Sequence, residues 1–258
     1  MTFFSTPIAT VLFPAFAKLD PQNEDELVKN VFTSSIKYTS ILLVPATMIL
    51  MTLSGPMVGT LYGQKYTYGP FFLTILVTGN LFAVIGSLSA GSFLSGFGET
   101  RISMIQSIIT LAVGLPLGIV LIPTFGIVGL IVASVVAGLP SLFWVLHWIW
   151  KHYKARADFR SSAKIFAAST IAAVAAYLPT VFLNTADWLK LIIGLVIFLT
   201  VYIVGAPLIG AVNLTDINNL RTMFSSMGTL SKIINIPLKA AEKAARTKSA
   251  KREAGEKP

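Results

Sequence analysis

Cysteine is absent from the chain, which excludes both a disulfide framework and a thiolate metal site. Charge is scarce as well. Asp, Glu, Lys and Arg make up 12% of the 258 residues, where an average soluble domain carries about 25%. Histidine occurs only as His147 and His152, close together and without carboxylate or thiolate neighbours, so no metal centre and no cofactor is implied. No phosphate-cradling glycine loop, hydrolytic triad or paired carboxylates occur, and the sequence offers nothing for an enzyme to work with. The 20 Lys and Arg against 11 Asp and Glu give a net charge of +9. Topology and attraction to anionic lipid explain that excess without any nucleic acid.

What is present is apolar sequence: 54% of the residues are hydrophobic and the mean hydropathy is +0.75. A membrane-spanning helix needs roughly 20 apolar residues to cross a hydrocarbon core about 30 Å thick. Charge-free runs cover Met1–Ala17, Tyr38–Gln64, Tyr66–Gly98, Ile102–Trp150, Ile165–Ala186 and Leu191–Thr215. The run from Ile102 to Trp150 is long enough for two crossings, and Pro123–Gly126 supplies a turn, with Pro123 expected to stop the first helix. The spacing predicts an all-α, polytopic membrane protein. Its seven transmembrane helices are Phe3–Leu19, Tyr38–Tyr62, Pro70–Gly96, Ile102–Ile122, Gly126–Trp150, Ala163–Leu183 and Trp188–Val212, of which the first is partial. No positive n-region precedes the first apolar run, so it reads as the end of a membrane helix rather than a signal peptide.

The helices place Lys65 and Lys190 on one side and the other 18 Lys and Arg on the opposite side. The Lys/Arg excess marks the cytoplasmic side, so the expected localisation is a multi-pass cell-membrane protein with a cytoplasmic C-terminus. Beyond the last span, Thr215 and Asp216 can cap a helix whose apolar positions are Ile217, Leu220, Met223, Phe224 and Met227. A basic, Ala-rich stretch follows. Both suit an amphipathic tail lying on the inner leaflet. The stretch from Glu24 to Lys37 reads as a surface helix leading into the second span.

No charged residue lies deep in a predicted span, and such charges are normally kept only for function. Asn80 and Gln106 are the amides well inside the helices. They are candidates for a polar substrate path or for interhelical hydrogen bonds, the latter favoured. Pro45, Pro116 and Pro140 are candidates for kinks, and Gly86 and Gly91 for close approach of a neighbouring helix.

Four stretches then follow one another in a recognisable order: "ATVLFPAFAKL", "IKYTSILLVPATMILMTLSGPMVGTLYGQKY", "LSGFGETR" and "LIPTFGIVGLIVAS". Together they resemble the C-terminal half of polysaccharide-biosynthesis flippases of the multidrug/oligosaccharidyl-lipid/polysaccharide exporter superfamily. The resemblance implies transport of lipid-linked oligosaccharide across the bilayer by alternating access between two lobes, with the first lobe lying outside these 258 residues. It implies second-lobe helices over 20–150 after a partial helix at 1–19, an accessory helix pair over 151–214 and a basic cytoplasmic tail over 215–258. Pro45, Tyr62, Gly63 and Tyr66 match elements of the family taken as structural signatures. Two alternatives stand beside this expectation: a multidrug/cation antiporter of the same superfamily, and a membrane scaffold subunit without transport of its own.

Overall fold

The computed structural model describes residues 12–20, 24–225 and 238–246. Every regular element among them is helical. In chain order these are α1 (residues 12–17), α2 (Asp25–Thr52), α3 (Ser54–Tyr62), α4 (Gly69–Thr78), α5 (Ser87–Gly96), α6 (Thr100–Phe125), α7 (Ile127–Tyr153), α8 (Phe159–Phe182), α9 (Asp187–Ile209), α10 (Leu214–Ser225) and α11 (residues 238–246). A tighter 3-10 segment, Gly79–Ile85, joins α4 to α5. Helices α2, α6, α7, α8 and α9 are each long and apolar enough to cross a membrane, and the bent pair of α4 and α5 makes a sixth span. Most of the expected first helix, Phe3–Leu19, lies outside the described residues.

Helix α2 is the centre of the fold. The expected surface helix and the first part of the span after it form one continuous helix, which ends at Thr52; the rest of the expected Tyr38–Tyr62 span is the separate α3, and both faces of α2 are used. Val28, Phe32 and Ile36 are buried with Phe16 of α1, Phe93 of α5 and Val145 of α7. The rings of Phe16, Phe32 and Phe93 meet edge to face or tilted, 5.4–6.5 Å apart. Ile41, Val44 and Met48 are buried with Ala168, Ala172 and Ala176 of α8 and Phe198 of α9. Lipid tails are as apolar as these side chains, so it is close packing rather than the hydrophobic effect that joins the helices. The alanine face of α8 suits that, because small side chains let α2 come near.

Pro45 sits inside α2 and has no N–H for the Ile41 carbonyl four residues back. The buried Tyr202 hydroxyl of α9 donates to that carbonyl at 2.9 Å. The proline therefore leaves no orphan, and α9 is tied to α2 where its ladder is interrupted. Tyr202→Phe removes the donor and nothing else. It is expected to destabilise the protein by about 1–3 kcal/mol, the cost of an unmet buried carbonyl. Thermal unfolding in detergent checks this.

The predicted single helix Pro70–Gly96 is broken. Its two parts, Gly69–Ile85 and Ser87–Gly96, meet at 63°. The break is at Gly86, whose φ of +101° lies in the left-handed region that side chains disfavour. The freed carbonyls find partners in neighbouring helices: Ser40 of α2 donates to Ala83 O at 3.2 Å and Ser162 of α8 to Val84 O at 2.8 Å. Backbone irregularity at membrane depth is tolerated where such partners exist.

Helices α6 and α7 form the expected hairpin, but Pro123 does not stop α6, which runs to Phe125. Gly126 alone makes the turn, with φ +58°. A methyl group at Gly129 would collide with the Leu121 carbonyl, so the pair closes tightly just past the turn. Pro116 lies within a continuous α6 and Pro140 within a continuous α7.

The tail folds back onto the helices. Ile217 and Leu220 of α10 and Ala241 and Ala245 of α11 are buried against the cluster of α2, α8 and α9. These apolar positions face protein rather than the leaflet, which corrects the expected surface helix. Asn213 precedes α10, and its N–H donates to the Asp216 carboxylate at 2.8 Å, one half of a capping box. The side chains of Met223 and Phe224, and all of Met227, lie outside the described residues.

Asp158 starts α8. Its carboxylate accepts from the Ser161 hydroxyl at 2.5 Å and from the backbone N–H groups of Arg160 and Ser161. The Ser161 hydroxyl is the chief reason that its pKa falls below the ordinary 3.8, with the two N–H groups adding to it. A depressed carboxyl pKa stabilises the fold above the unfolded value, and that contribution disappears as pH falls through the folded value. Asp158→Ala is expected to cost about 1 kcal/mol at neutral pH, and its deficit against the parent should vanish on acidification below the folded pKa. Thermal unfolding at a series of pH values measures both.

Candidate functional site: an uncharged polar crevice on α6 and α7

Helix α6 packs along α7 and touches little else, and none of the most apolar stretch of α6 is buried. Its sequence carries two kinds of face. Met104 and Ile108 are more than half exposed and suit lipid, while Leu115 and Ile119, equally exposed, border the groove described next. Ser103, Gln106, Ser107, Thr110, Gly114 and Gly118 recur every three or four residues, which places them along one stripe. That stripe and Leu130, Ala133, Ser134 and Ala137 of α7 line an open groove of about 1120 Å³.

The groove continues inward. Gln106, Thr110 and Ser134 also line a crevice of about 320 Å³ that reaches Gly79 and Asn80 of the 3-10 segment, Ser87 of α5 and Ser141 of α7. The structure thus brings together Asn80 and Gln106, the two amides singled out in the sequence, from elements 26 residues apart. Both are half-buried, and neither side-chain amide makes a hydrogen bond among the described residues. Packing amides would be bonded to each other or to a neighbouring helix. These are uncommitted.

The hydroxyls behave differently. Ser103, Ser107 and Ser134 each donate to the carbonyl four residues back, at 2.8–3.2 Å. Thr110 lies 2.8 Å from Ser141 Oγ and 3.0 Å from the Gln106 carbonyl, and Ser141 donates to Gly138 O. Their protons are in use, so what they have left to offer is lone pairs. Ser and Thr therefore supply acceptors, and the two amides supply donors and acceptors. No Asp, Glu, Lys, Arg or His lines either space, so what the lining offers is neutral hydrogen bonds. Among the described residues no cluster of His, Asp and Glu could hold a metal ion.

The remaining candidates fall elsewhere. Gly86 makes the break between α4 and α5, and a Cβ there would lie 2.8 Å from Ile36 Cδ1. Gly91 is exposed, and a Cβ there would meet nothing within 4 Å. The close approach expected at Gly91 is not found. Pro45 lies in α2 and Pro140 in α7, and neither lines the crevice; Pro116 lies on α6 but outside the lining. The hydroxyls at 103, 107, 110, 134 and 141 went unnoticed in the sequence, although their helical spacing was there to be read.

Residues 1–204 match the family model described as lipid II flippase MurJ. Over 131 residues the chain is 26% identical to the probable low-salt glycan biosynthesis flippase Agl15 of Haloferax volcanii, covering 51% of the chain and 28% of that protein. Over 156 residues it is 30% identical to the probable lipid II flippase MurJ of Rhizobium meliloti, covering 55% of the chain and 29% of that protein. The matched stretches thus span under a third of these curated relatives. No solved structure matches the chain. Six spans of apolar helix, an uncharged crevice between them and a family match over most of the length agree with one another: this multi-pass membrane protein belongs to the lipid II flippase MurJ family.

Proposed function

We propose that the chain forms one wall of a carrier that moves lipid-linked oligosaccharide across the cytoplasmic membrane. Residues 20–150 act as its second lobe, 151–214 as an accessory helix pair and 215–258 as a cytoplasmic tail. The observation that carries this is the pair of uncommitted amides, Asn80 and Gln106, in a crevice without charge. Hydrogen bonds offered from a low-dielectric wall suit a sugar, whose hydroxyls need replacements for water while it crosses. The groove is open along α6, so a second wall, supplied by another lobe, closes it in the working carrier. Family membership favours this over a multidrug/cation antiporter or a scaffold subunit. The orientation rests on charge: the basic residues around α1, the α5–α6 turn, the α7–α8 loop and the tail lie at one end of the bundle, where Arg156 sits 4.5 Å over the Trp150 ring.

The test is the double variant Asn80→Leu/Gln106→Leu, expressed from its own locus in the source organism. Two lost hydrogen bonds to the head group should lower glycan export about tenfold, with helical content and membrane level unchanged. Normal export by a folded double variant would remove the crevice from the transport path.

A further inference from the structure

At the other end of the bundle the start of α9 meets α3 and the end of α8. A crevice of about 500 Å³ opens there, lined by Tyr66, Thr67, Tyr177, Thr180, Asp187 and Lys190 among others. We infer that this crevice is a second saccharide site, which holds the sugar head group on the face opposite the basic tail. The inference rests on the flippase reading for the identity of its ligand and on the crevice itself for its chemistry.

Four features support it. The Asp187 carboxylate, the Lys190 ammonium, the Tyr66 and Tyr177 hydroxyls and the Thr67 hydroxyl make no hydrogen bond or ion pair among the described residues. Five uncommitted polar side chains in one concave space form a set of donors and acceptors that sugar hydroxyls can satisfy. One acid and one base three residues apart cancel, which suits a neutral ligand and disfavours a diphosphate, whose recognition calls for several cations. The carboxylate rests against α3: a methyl group on Gly59 would collide with the Asp187 side chain. Finally, the tyrosines expected to be structural are not packed away. Tyr62 and Tyr66 are 61% and 59% exposed, with their rings edge to face 5.5 Å apart. Tyr66 lies between this crevice and an apolar one lined by Leu61, Phe72 and Leu76. A tyrosine so placed offers its ring to the C–H face of a sugar and its hydroxyl to the polar side, with the apolar crevice beside it for the first part of a lipid tail. Tyrosines that only anchor a helix at the lipid headgroups would not need the acid, the base and the threonine beside them.

The purified 258-residue chain in detergent micelles is probed by saturation-transfer NMR with N,N′-diacetylchitobiose, with phosphocholine as competitor. Transfer to the sugar ring protons is expected in the parent. It should fall about five- to tenfold in Tyr66→Ala and in Asp187→Asn, the effect of one lost contact in each. Tyr66→Phe should keep most of the signal, and all variants are compared in the Asn80→Leu/Gln106→Leu background, which removes any sugar held at the first crevice. Helical circular dichroism confirms folding, and Asp187→Asn is nearly isosteric should Tyr66→Ala unfold. No transfer in the parent, transfer insensitive to both variants, or displacement by phosphocholine would overturn the site. Failure here with reduced glycan export in the Asn80/Gln106 variant removes this crevice alone. Sugar binding here with normal export removes the flippase reading and leaves the site.

Discussion

Gly86→Leu is expected to unfold or nearly unfold the protein, while Gly91→Leu, five residues on in the same span, should be neutral or slightly stabilising. At Gly86 two penalties coincide. The backbone has φ +101°, and a residue with a side chain held in such a region costs on the order of 1–3 kcal/mol. A Cβ would also lie 2.8 Å and 3.1 Å from two atoms of Ile36, itself buried in α2, and overpacking of that kind adds about 1–3 kcal/mol. Their sum approaches the whole stability of many proteins. Gly91 has open space around it, and replacing glycine by leucine inside a helix gains up to about 1 kcal/mol in propensity. Thermal unfolding of both variants in detergent gives the comparison. Equal effects at the two positions would mean that the break between α4 and α5 does not depend on Gly86.

Lys37→Met should be the next most damaging change. The Lys37 ammonium lies 2.6 Å from the Asp216 carboxylate, with side-chain exposures of 19% and 7%. This pair joins α2 to α10, and the Asn219 amide donates to the Tyr38 hydroxyl beside it at 2.6 Å. Removing the cation strands a nearly buried carboxylate, for which a loss of about 3–5 kcal/mol is typical; the partial exposure of Lys37 points to the lower end. Replacing both partners, Lys37→Met with Asp216→Leu, removes the stranded charge and should recover most of the loss, leaving chiefly the lost cap on Asn213. The double-mutant cycle by thermal unfolding separates the two. A double variant as unstable as Lys37→Met would show that the pair is not what holds the tail.

The spans were legible because a charge-free apolar run of roughly 20 residues matches the thickness of a bilayer and little else, and Gly126 marked the hairpin. The break at Gly86 was not legible. Its span, with Gly79, Gly86, Gly91 and Gly96, offers several equivalent places to bend. Only the hydroxyls of Ser40 and Ser162, 43 and 78 residues away in sequence from the carbonyls they reach, show which one is used. The same limit applies to the tail. The helical period of Ile217 and Leu220 is equally compatible with a leaflet and with the face of α2 and α8, and it was Lys37, far back in the chain, that decided between them. Asn80 and Gln106 stood out as isolated amides in apolar helices. That they line one crevice depends on how the 3-10 segment packs beside the α6–α7 pair, which no local pattern encodes. The second crevice combines Tyr66 with Asp187 across 121 residues and was invisible for the same reason.

The proposed role of this chain is the movement of lipid-linked oligosaccharide across the membrane. The most direct measurement is depletion of the gene in its own organism, followed by quantification of lipid-linked sugar on each face of the membrane with an impermeant glycan-cleaving enzyme on intact cells and on everted vesicles. Lipid-linked sugar is expected to accumulate where only everted vesicles expose it, with its outer-face pool depleted. An unchanged distribution between the two faces would contradict it.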